Sequence, residues 1–167
     1  MTGEGIDYAH PDFCTDEGTT RIVALWDQTL VPREGEAPPA GYFDGVLFSA
    51  EQINAALLES RFENRQQLVR SVDNSGHGTH VAGIACGNGR AGGIRYRGVA
   101  YESDILVVKI GGTQRDAFPQ TTNLMAGIDF AIRFAMERNQ PLVINISFGK
   151  YICSRYNICY SCCYELT

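Results

Sequence analysis

The chain has 167 residues, enough for one domain with a hydrophobic core, and a formal net charge of -5 with 20% charged residues. It contains no block of basic residues, which argues against nucleic acid as a partner. No apolar run approaches the roughly 18–20 residues of a membrane-spanning helix, and no secretory signal is visible after Met1.

The first informative segment, residues 5–13, is rich in turn-forming residues. Asp7 and Asp12 could be read as a catalytic carboxylate pair, but short acidic side chains more often bond to nearby backbone in turns. We therefore predict turn roles for both, and a structural role for His10, which precedes Pro11.

Residues 19–60 predict a strand, a loop and a helix in that order. Residues 19–31 are rich in β-branched and aromatic side chains, which predicts a strand with Trp26 in the core. Residues 32–45 contain several prolines and glycines, which predicts a surface loop. Ser49 and Gln52 have capping-box spacing, and the apolar face that follows predicts a helix to about residue 60.

Residues 73–85 form a polar turn that leads into a small, apolar helix. His77 lies where the loop becomes helix, a position that holds an imidazole rigidly while it still reaches a cleft. Gly78 and Gly83 leave room for another backbone or a substrate. This arrangement is typical of a general base beside a hydroxyl nucleophile, although an isolated histidine here would more often be structural. The residues expected to form the buried side of the helix are Val81, Ala82, Ile84 and Ala85.

The uninterrupted sequence Gly-His-Gly-Thr-His-Val-Ala-Gly-Ile-Ala at 76–85 resembles the histidine motif of the subtilisin-like serine proteases, the subtilases. The resemblance implies that His77 is the catalytic base and that His80 packs under the site. Residues 5–13 resemble the segment that follows the catalytic aspartate in this family. That alignment places the aspartate at position 3, where this chain has Gly3.

Two further segments, residues 19–29 and 42–57, resemble an insertion found in subtilases of clostridia-like, spore-forming bacteria. No cofactor is predicted from the residues themselves. The resemblance allows a calcium ion, but no metal-binding residue can be assigned.

The middle and later parts of the chain predict a βαβ unit. The glycine-rich residues 86–100 are followed by no Gly-Lys-Ser/Thr, and no GxGxxG lies after a predicted strand, which argues against a phosphate-binding loop. Residues 98–110 predict a turn and then a strand buried on both faces, as in a parallel sheet. Residues 121–137 have a helical apolar face, and residues 142–149 predict another strand. This order indicates a right-handed crossover.

The end of the last predicted strand matches the subtilase strand that lines the substrate cleft, with pattern Asn-hydrophobic-Ser-hydrophobic-Gly. The resemblance therefore implies that Ser147, Phe148 and Gly149 bind the substrate. Binding would occur by strand addition, in which main-chain hydrogen bonds give affinity and pockets give side-chain preference. Ser147 is thus expected to be a binding residue and not the nucleophile.

The pattern changes abruptly at residues 150–167, which contain four of the six cysteines. Cys159 and Cys162 have the spacing of half a zinc site, but the second half is missing. Disulfides are another interpretation. A truncated or frame-shifted end is favoured by the change in composition. We predict a partial catalytic domain in residues 1–149 and an off-pattern tail in residues 150–167.

Together these features predict an α/β fold with three αβα layers and a mainly parallel sheet, incomplete at both ends. The resemblance implies a serine endopeptidase that acts on peptides or proteins. The 167 residues contain no Gly-Thr-Ser-Met-Ala nucleophile motif, and position 3 is not aspartate, so this chain alone is expected to be inactive. The alternative is a pseudoprotease, a module that binds a peptide or partner without cutting it.

Overall fold

The computed structural model describes residues 5–111 and 121–147 of the chain. Three strands, β1 (Ile22–Asp27), β2 (Val46–Ser49) and β3 (Ile105–Lys109), form one sheet in the order β2-β1-β3. Strand β1 pairs antiparallel with β2 and parallel with β3, so the sheet in this part of the chain is mixed.

The helices of the described residues are α1 (Ala50–Leu57), α2 (Phe62–Leu68), α3 (His77–Cys86) and α4 (Thr121–Glu137), with short 3-10 turns at Pro11–Phe13 and Ile94–Tyr96. Within this part of the chain no helix has the length and apolarity to cross a membrane. Helix α4 has the bounds that its apolar spacing predicts. It ends before Asn139, which has a φ of 51° and so leaves the helical conformation.

Side chains cover the sheet on both faces. On one face, Leu25 belongs to a buried cluster with Ile53 of α1 and Ala82 of α3. On the other face, its neighbour Trp26 belongs to a cluster with Phe130 of α4. Consecutive residues of a strand point to opposite faces, so β1 contributes to both clusters. This is the αβα layering that the sequence predicts, and Trp26 is in the core as expected.

Helix α1 begins with the capping box that Ser49 and Gln52 predict. The Ser49 N–H donates to Gln52 Oε1 (2.9 Å), and the Gln52 N–H donates to Ser49 Oγ (3.4 Å). Strand β2 ends at the same Ser49, and so the loop, β2 and α1 follow one another without a linker.

The strand predicted at residues 142–149 does not form in the residues that the structure describes. Its described part, residues 142–147, has no regular secondary structure. An apolar pattern indicates burial, but a strand forms only where a neighbouring strand supplies hydrogen-bonding partners. In the described residues that support is missing: Val143 is 85% exposed, and Asn145 Nδ2 is buried without a hydrogen-bond partner. Within residues 5–111 and 121–147 the crossover is therefore formed only as far as α4.

Candidate active site

His77 is the first residue of α3, and it is half-buried. The preceding residue, Gly76, has a φ of 77°, in the left-handed region that favours glycine. The His77 N–H donates to Ser75 Oγ (3.1 Å), which closes the turn. The chain therefore bends sharply into the helix and places His77 at the helix start, as the sequence predicts.

The carboxylate of Asp73 fixes this turn. Its Oδ1 accepts hydrogen bonds from the N–H groups of Gly76 (2.8 Å) and Ser75 (3.2 Å). Its Oδ2 accepts from the N–H (2.9 Å) and the hydroxyl (2.6 Å) of Thr79. Gly76 has no side chain to cap α3, and so Asp73 accepts from the free N–H of Thr79 in the first turn of the helix in its place.

These hydrogen bonds also determine the ionisation of Asp73. Partial burial alone would raise the pKa of this carboxyl. The four hydrogen bonds to its ionised form, above all those from Thr79, outweigh burial and lower the pKa below its ordinary value. Asp73 is therefore a carboxylate at neutral pH, close to the start of the helix that begins with His77.

Residues 5–8 lie directly against the first turn of α3. The Asp7 N–H donates to Thr79 Oγ1 (2.8 Å). A Cβ atom added to Gly78 would lie 1.9 Å from the Gly5 carbonyl oxygen, so a side chain at this position cannot be accommodated without a backbone shift. The segment that resembles the one after the family's catalytic aspartate is thus in contact with the helix that begins at His77.

The other polar residues of the first segment accept hydrogen bonds from backbone N–H groups. Asp7 Oδ1 accepts from the Ala9 N–H (3.1 Å), and Asp12 Oδ1 accepts from the Ala91 N–H (2.7 Å). His10 Nδ1 accepts from the Asp12 N–H (3.3 Å) at the start of the first 3-10 turn. Asp7 therefore has the local turn partner that was predicted, whereas the carboxylate of Asp12 joins two distant parts of the chain, and the two residues have separate partners.

The predicted placement of His80 and Ile84 is wrong. His80 is exposed and does not pack under the site, and Ile84 is 60% exposed. The buried residues of α3 are Gly78, Ala82 and Cys86, which are spaced four apart and share one face. Positions 80 and 84 lie two residues from these, on the other side of the helix. Apolarity alone was a poor guide here because helical spacing decides which face is buried.

The described residues include one of the three predicted substrate-binding residues. Ser147 is half-buried and follows α4 in a segment without regular structure. Phe148 and Gly149 lie outside the described residues. The substrate-binding role of all three residues stays a prediction.

Metal binding is not supported by side chains in the described part of the chain. Residues 5–111 and 121–147 contain no group of three or more His, Cys, Asp or Glu side chains arranged to hold a metal ion. The calcium ion that the resemblance allows stays a prediction. Cys14 and Cys86 are buried free thiols, whereas Cys159 and Cys162 lie outside the described residues.

A buried ion pair at the carboxyl ends of β1 and β3 was missed by sequence reasoning. Asp27 Oδ2 lies 3.5 Å from Lys109 Nζ, and the two residues are register partners in the parallel pair. The sequence contains a signal for this pair, since the apolar strand β1 ends in an acidic residue, Asp27, and the apolar strand β3 ends in a basic residue, Lys109. Charged side chains at buried positions are rarely left unpaired.

Comparison with known proteins gives consistent matches. The model of the subtilase family matches residues 3–161. Subtilisin-like protease 5 of Trichophyton verrucosum is 32% identical over 114 residues, which cover 66% of this chain and 26% of that protein. Proteinase T of Parengyodontium album is 38% identical over 84 residues, 48% of this chain and 25% of that protein. The solved CspB protease of Clostridium perfringens superposes with a TM-score of 0.71 at 38% identity, over 88% of this chain and 27% of that one.

The matched region spans about a quarter of the length of each of these three proteins. The structural match confirms the clostridial affinity indicated by residues 19–29 and 42–57, and it confirms the predicted α/β fold. The family model covers nearly the whole chain, including the motif around His77. The chain therefore belongs to the subtilase family of peptidases.

Proposed function

We propose that this chain is the histidine-bearing part of the catalytic domain of a subtilisin-type serine endopeptidase, with His77 as the general base. The observation that supports this most directly is the construction of the helix start. His77 begins α3 in a turn fixed by Asp73, and the Gly5 segment packs against the same turn at Gly78.

In this proposal the His77 imidazole removes the proton from a serine hydroxyl as the oxygen attacks the peptide carbonyl. The same imidazole then protonates the leaving amine. A carboxylate normally orients the histidine of such a triad, and the resemblance of residues 5–13 to the family implies position 3 for it. Because residue 3 is glycine, this chain does not supply that carboxylate at the expected position, and it contains no Gly-Thr-Ser-Met-Ala motif for the nucleophile.

Ser147, Phe148 and Gly149 are proposed to bind the substrate by pairing with the peptide backbone. Residues 142–147 form no strand with the other described residues, so their main chain is not committed to the sheet of this part of the chain. In strand addition, the main chain of this segment would pair with that of the peptide. Peptides or proteins are accordingly the proposed substrates.

The proposal is tested by grafting residues 73–86 of this chain in place of the matching residues of the C. perfringens CspB protease, whose remaining catalytic residues stay intact. We expect the graft to retain hydrolysis of a peptide substrate. In the graft, His77→Ala should lower kcat by a factor on the order of 10⁵–10⁶, because the general base is lost. His80→Ala, a change at the exposed histidine of the same helix, should change kcat less than about threefold.

Equal effects of the two histidine substitutions would contradict the assignment of His77. A correctly folded graft without activity would favour the alternative, a subtilase-fold module that binds a peptide without cutting it. Circular dichroism of each variant separates that outcome from misfolding.

A further inference from the structure

The carboxylate of Asp27 is fully buried and satisfied on both oxygens. Oδ1 accepts from the N–H (2.9 Å) and the hydroxyl (2.5 Å) of Thr29. Oδ2 accepts from the Ser71 hydroxyl (2.7 Å) and faces the Lys109 ammonium at 3.5 Å. The proposed chemistry at His77 uses none of these four residues, although they form the most deeply buried charged group of the described chain.

Lys109 connects this group to the loop in front of α3. Its side chain is 10% exposed, and its Nζ donates to the Val72 carbonyl oxygen (3.0 Å). A Cβ atom added to Gly5 would lie 2.6 Å from the same carbonyl oxygen and 3.2 Å from Lys109 Cδ. The Gly5 backbone therefore rests on Val72 and Lys109 together.

The loop is thus held at three consecutive residues. Ser71 is bonded to Asp27, Val72 is bonded to Lys109, and Asp73 is bonded to the first turn of α3. This segment lies between α2 and α3 and has no regular secondary structure of its own. Neighbouring Arg70 is bonded to Glu36, but the contacts of Ser71 and Val72 with the sheet come from the side chains of Asp27 and Lys109.

Stability alone does not account for an ion pair at this place. Burying two charges costs about as much as their attraction returns, and apolar side chains of equal volume would often serve stability as well. An apolar pair could not, however, bond to the Ser71 hydroxyl and the Val72 carbonyl. What the pair supplies is directional contact with one loop.

We propose that Asp27 and Lys109 are positioning residues, which fix the Ser71–Val72–Asp73 loop and the Gly5 segment to the carboxyl ends of β1 and β3 and thereby set the position of His77. The catalytic meaning of this position rests on the proposed function of His77. The mechanical coupling of the pair to the helix start does not depend on that proposed function.

The test uses amide hydrogen exchange of the full 167-residue chain, followed by NMR. The reporter amides are those of Gly76 and Thr79, which bond to Asp73, and that of Asp7, which bonds to Thr79. Lys109→Met removes the hydrogen bond from a charged donor to the Val72 carbonyl of the loop. We therefore expect the exchange rates of the reporter amides to rise by a factor on the order of ten more than those of the ladder amides, the amides that pair β1 with β2.

A second readout is the imidazole signal of His77. In Lys109→Met it should shift, while that of the exposed His80 stays in place as an internal reference. Lys109→Arg keeps the positive charge and hydrogen-bond donors in a larger, planar group, and it should move both readouts less than Lys109→Met does. Arg133→Met removes an exposed ion pair with Asp129 on α4, and it should change neither readout.

If Lys109→Met does not fold, Ser71→Ala gives the same test with one hydrogen bond removed, and the reporter amides should exchange several-fold faster than the ladder. Equal acceleration of reporter and ladder amides in the folded variant, or none at either, would overturn the proposal, because the pair would then act only on global stability. Exchange does not depend on catalysis. A failed graft experiment at His77 would therefore leave the coupling standing, and a negative exchange result would leave His77 as the base.

Discussion

Gly78 and Gly83 are two glycines of the same helix with opposite surroundings. A Cβ atom on Gly78 would meet the Gly5 carbonyl oxygen at 1.9 Å, whereas one on Gly83 would meet no atom within 4 Å. The first glycine is required by the contact between α3 and residues 5–8. The second is only a weak helix former in an open position.

The two glycines therefore predict opposite effects of the same substitution. Gly78→Ala should destabilise the chain by about 2–3 kcal/mol, because the added carbon forces the Gly5 segment away from α3. Gly83→Ala should leave stability unchanged or raise it by about 0.5–1 kcal/mol, because alanine favours the helix. Urea unfolding of both variants measures this difference. A Gly78→Ala chain as stable as wild type would show that the two segments are not packed as described.

At the scale of elements, the start of α3 depends on one carboxylate outside the helix. Asp73 accepts four hydrogen bonds from the turn and the first helical residues, and Gly76 contributes no side chain. Helix α1 is different, because Ser49 and Gln52 cap it from within the local sequence. Capping-box spacing is visible in a sequence. The hydrogen bonds between Asp73 and Thr79, six residues apart, form only because the turn between them is folded.

The stability contributed by Asp73 should depend on pH with a defined sign. Its pKa is lower in the folded chain than the unfolded value of about 3.9, so the folded state binds fewer protons there. This contribution is complete above about pH 4 and is lost as the pH falls through the folded-state pKa. Asp73→Asn removes two acceptor contacts at Oδ2 and should cost about 1–2 kcal/mol at pH 7.

The measurement is urea unfolding of wild type and Asp73→Asn between pH 3 and pH 7. The difference between the two chains should shrink as the pH falls below about 4. Glu34→Gln, a neutralised carboxyl in the exposed loop, serves as the control and should have little effect. A constant difference across the pH range would show that the Asp73 carboxylate does not cap the helix in solution.

At the scale of the whole molecule, the 167 residues include the histidine motif of the family but not the other two motifs that the resemblance leads us to expect. His77 is present, position 3 is glycine, and the 167 residues include no Gly-Thr-Ser-Met-Ala motif. If His77 is the base, as proposed, it should contribute little without its partners, because the residues of a triad act as a unit.

The purified 167-residue chain should accordingly not hydrolyse a chromogenic peptide above background, and a fluorophosphonate probe should not label it. The probe reacts only with an activated serine, and Ser147 is expected to bind substrate instead. The intact CspB protease of C. perfringens, treated in parallel, provides the comparison. Stoichiometric labelling of any serine in this chain would contradict the expectation.

The sequence alone predicted those elements whose signals are local. The capping box of α1, the apolar face of α4 and the motif at the start of α3 depend on residues a few positions apart, and the structure has all three where expected. Strand β2 and helix α2 escaped prediction. With four and seven residues they are too short to show a clear period, and α2 has no side-chain cap.

Tertiary structure decided what depends on contacts between distant parts of the chain. Which face of α3 is buried follows from the packing of Ala82 against the sheet, not from the apolarity of Ile84. The strand predicted at residues 142–149 required a neighbouring strand that the described residues do not provide. Asp27 and Lys109 meet only because β1 and β3 pair in parallel. A sequence contains the residues that can cap, pack or pair, but the fold determines which of them come within bonding distance.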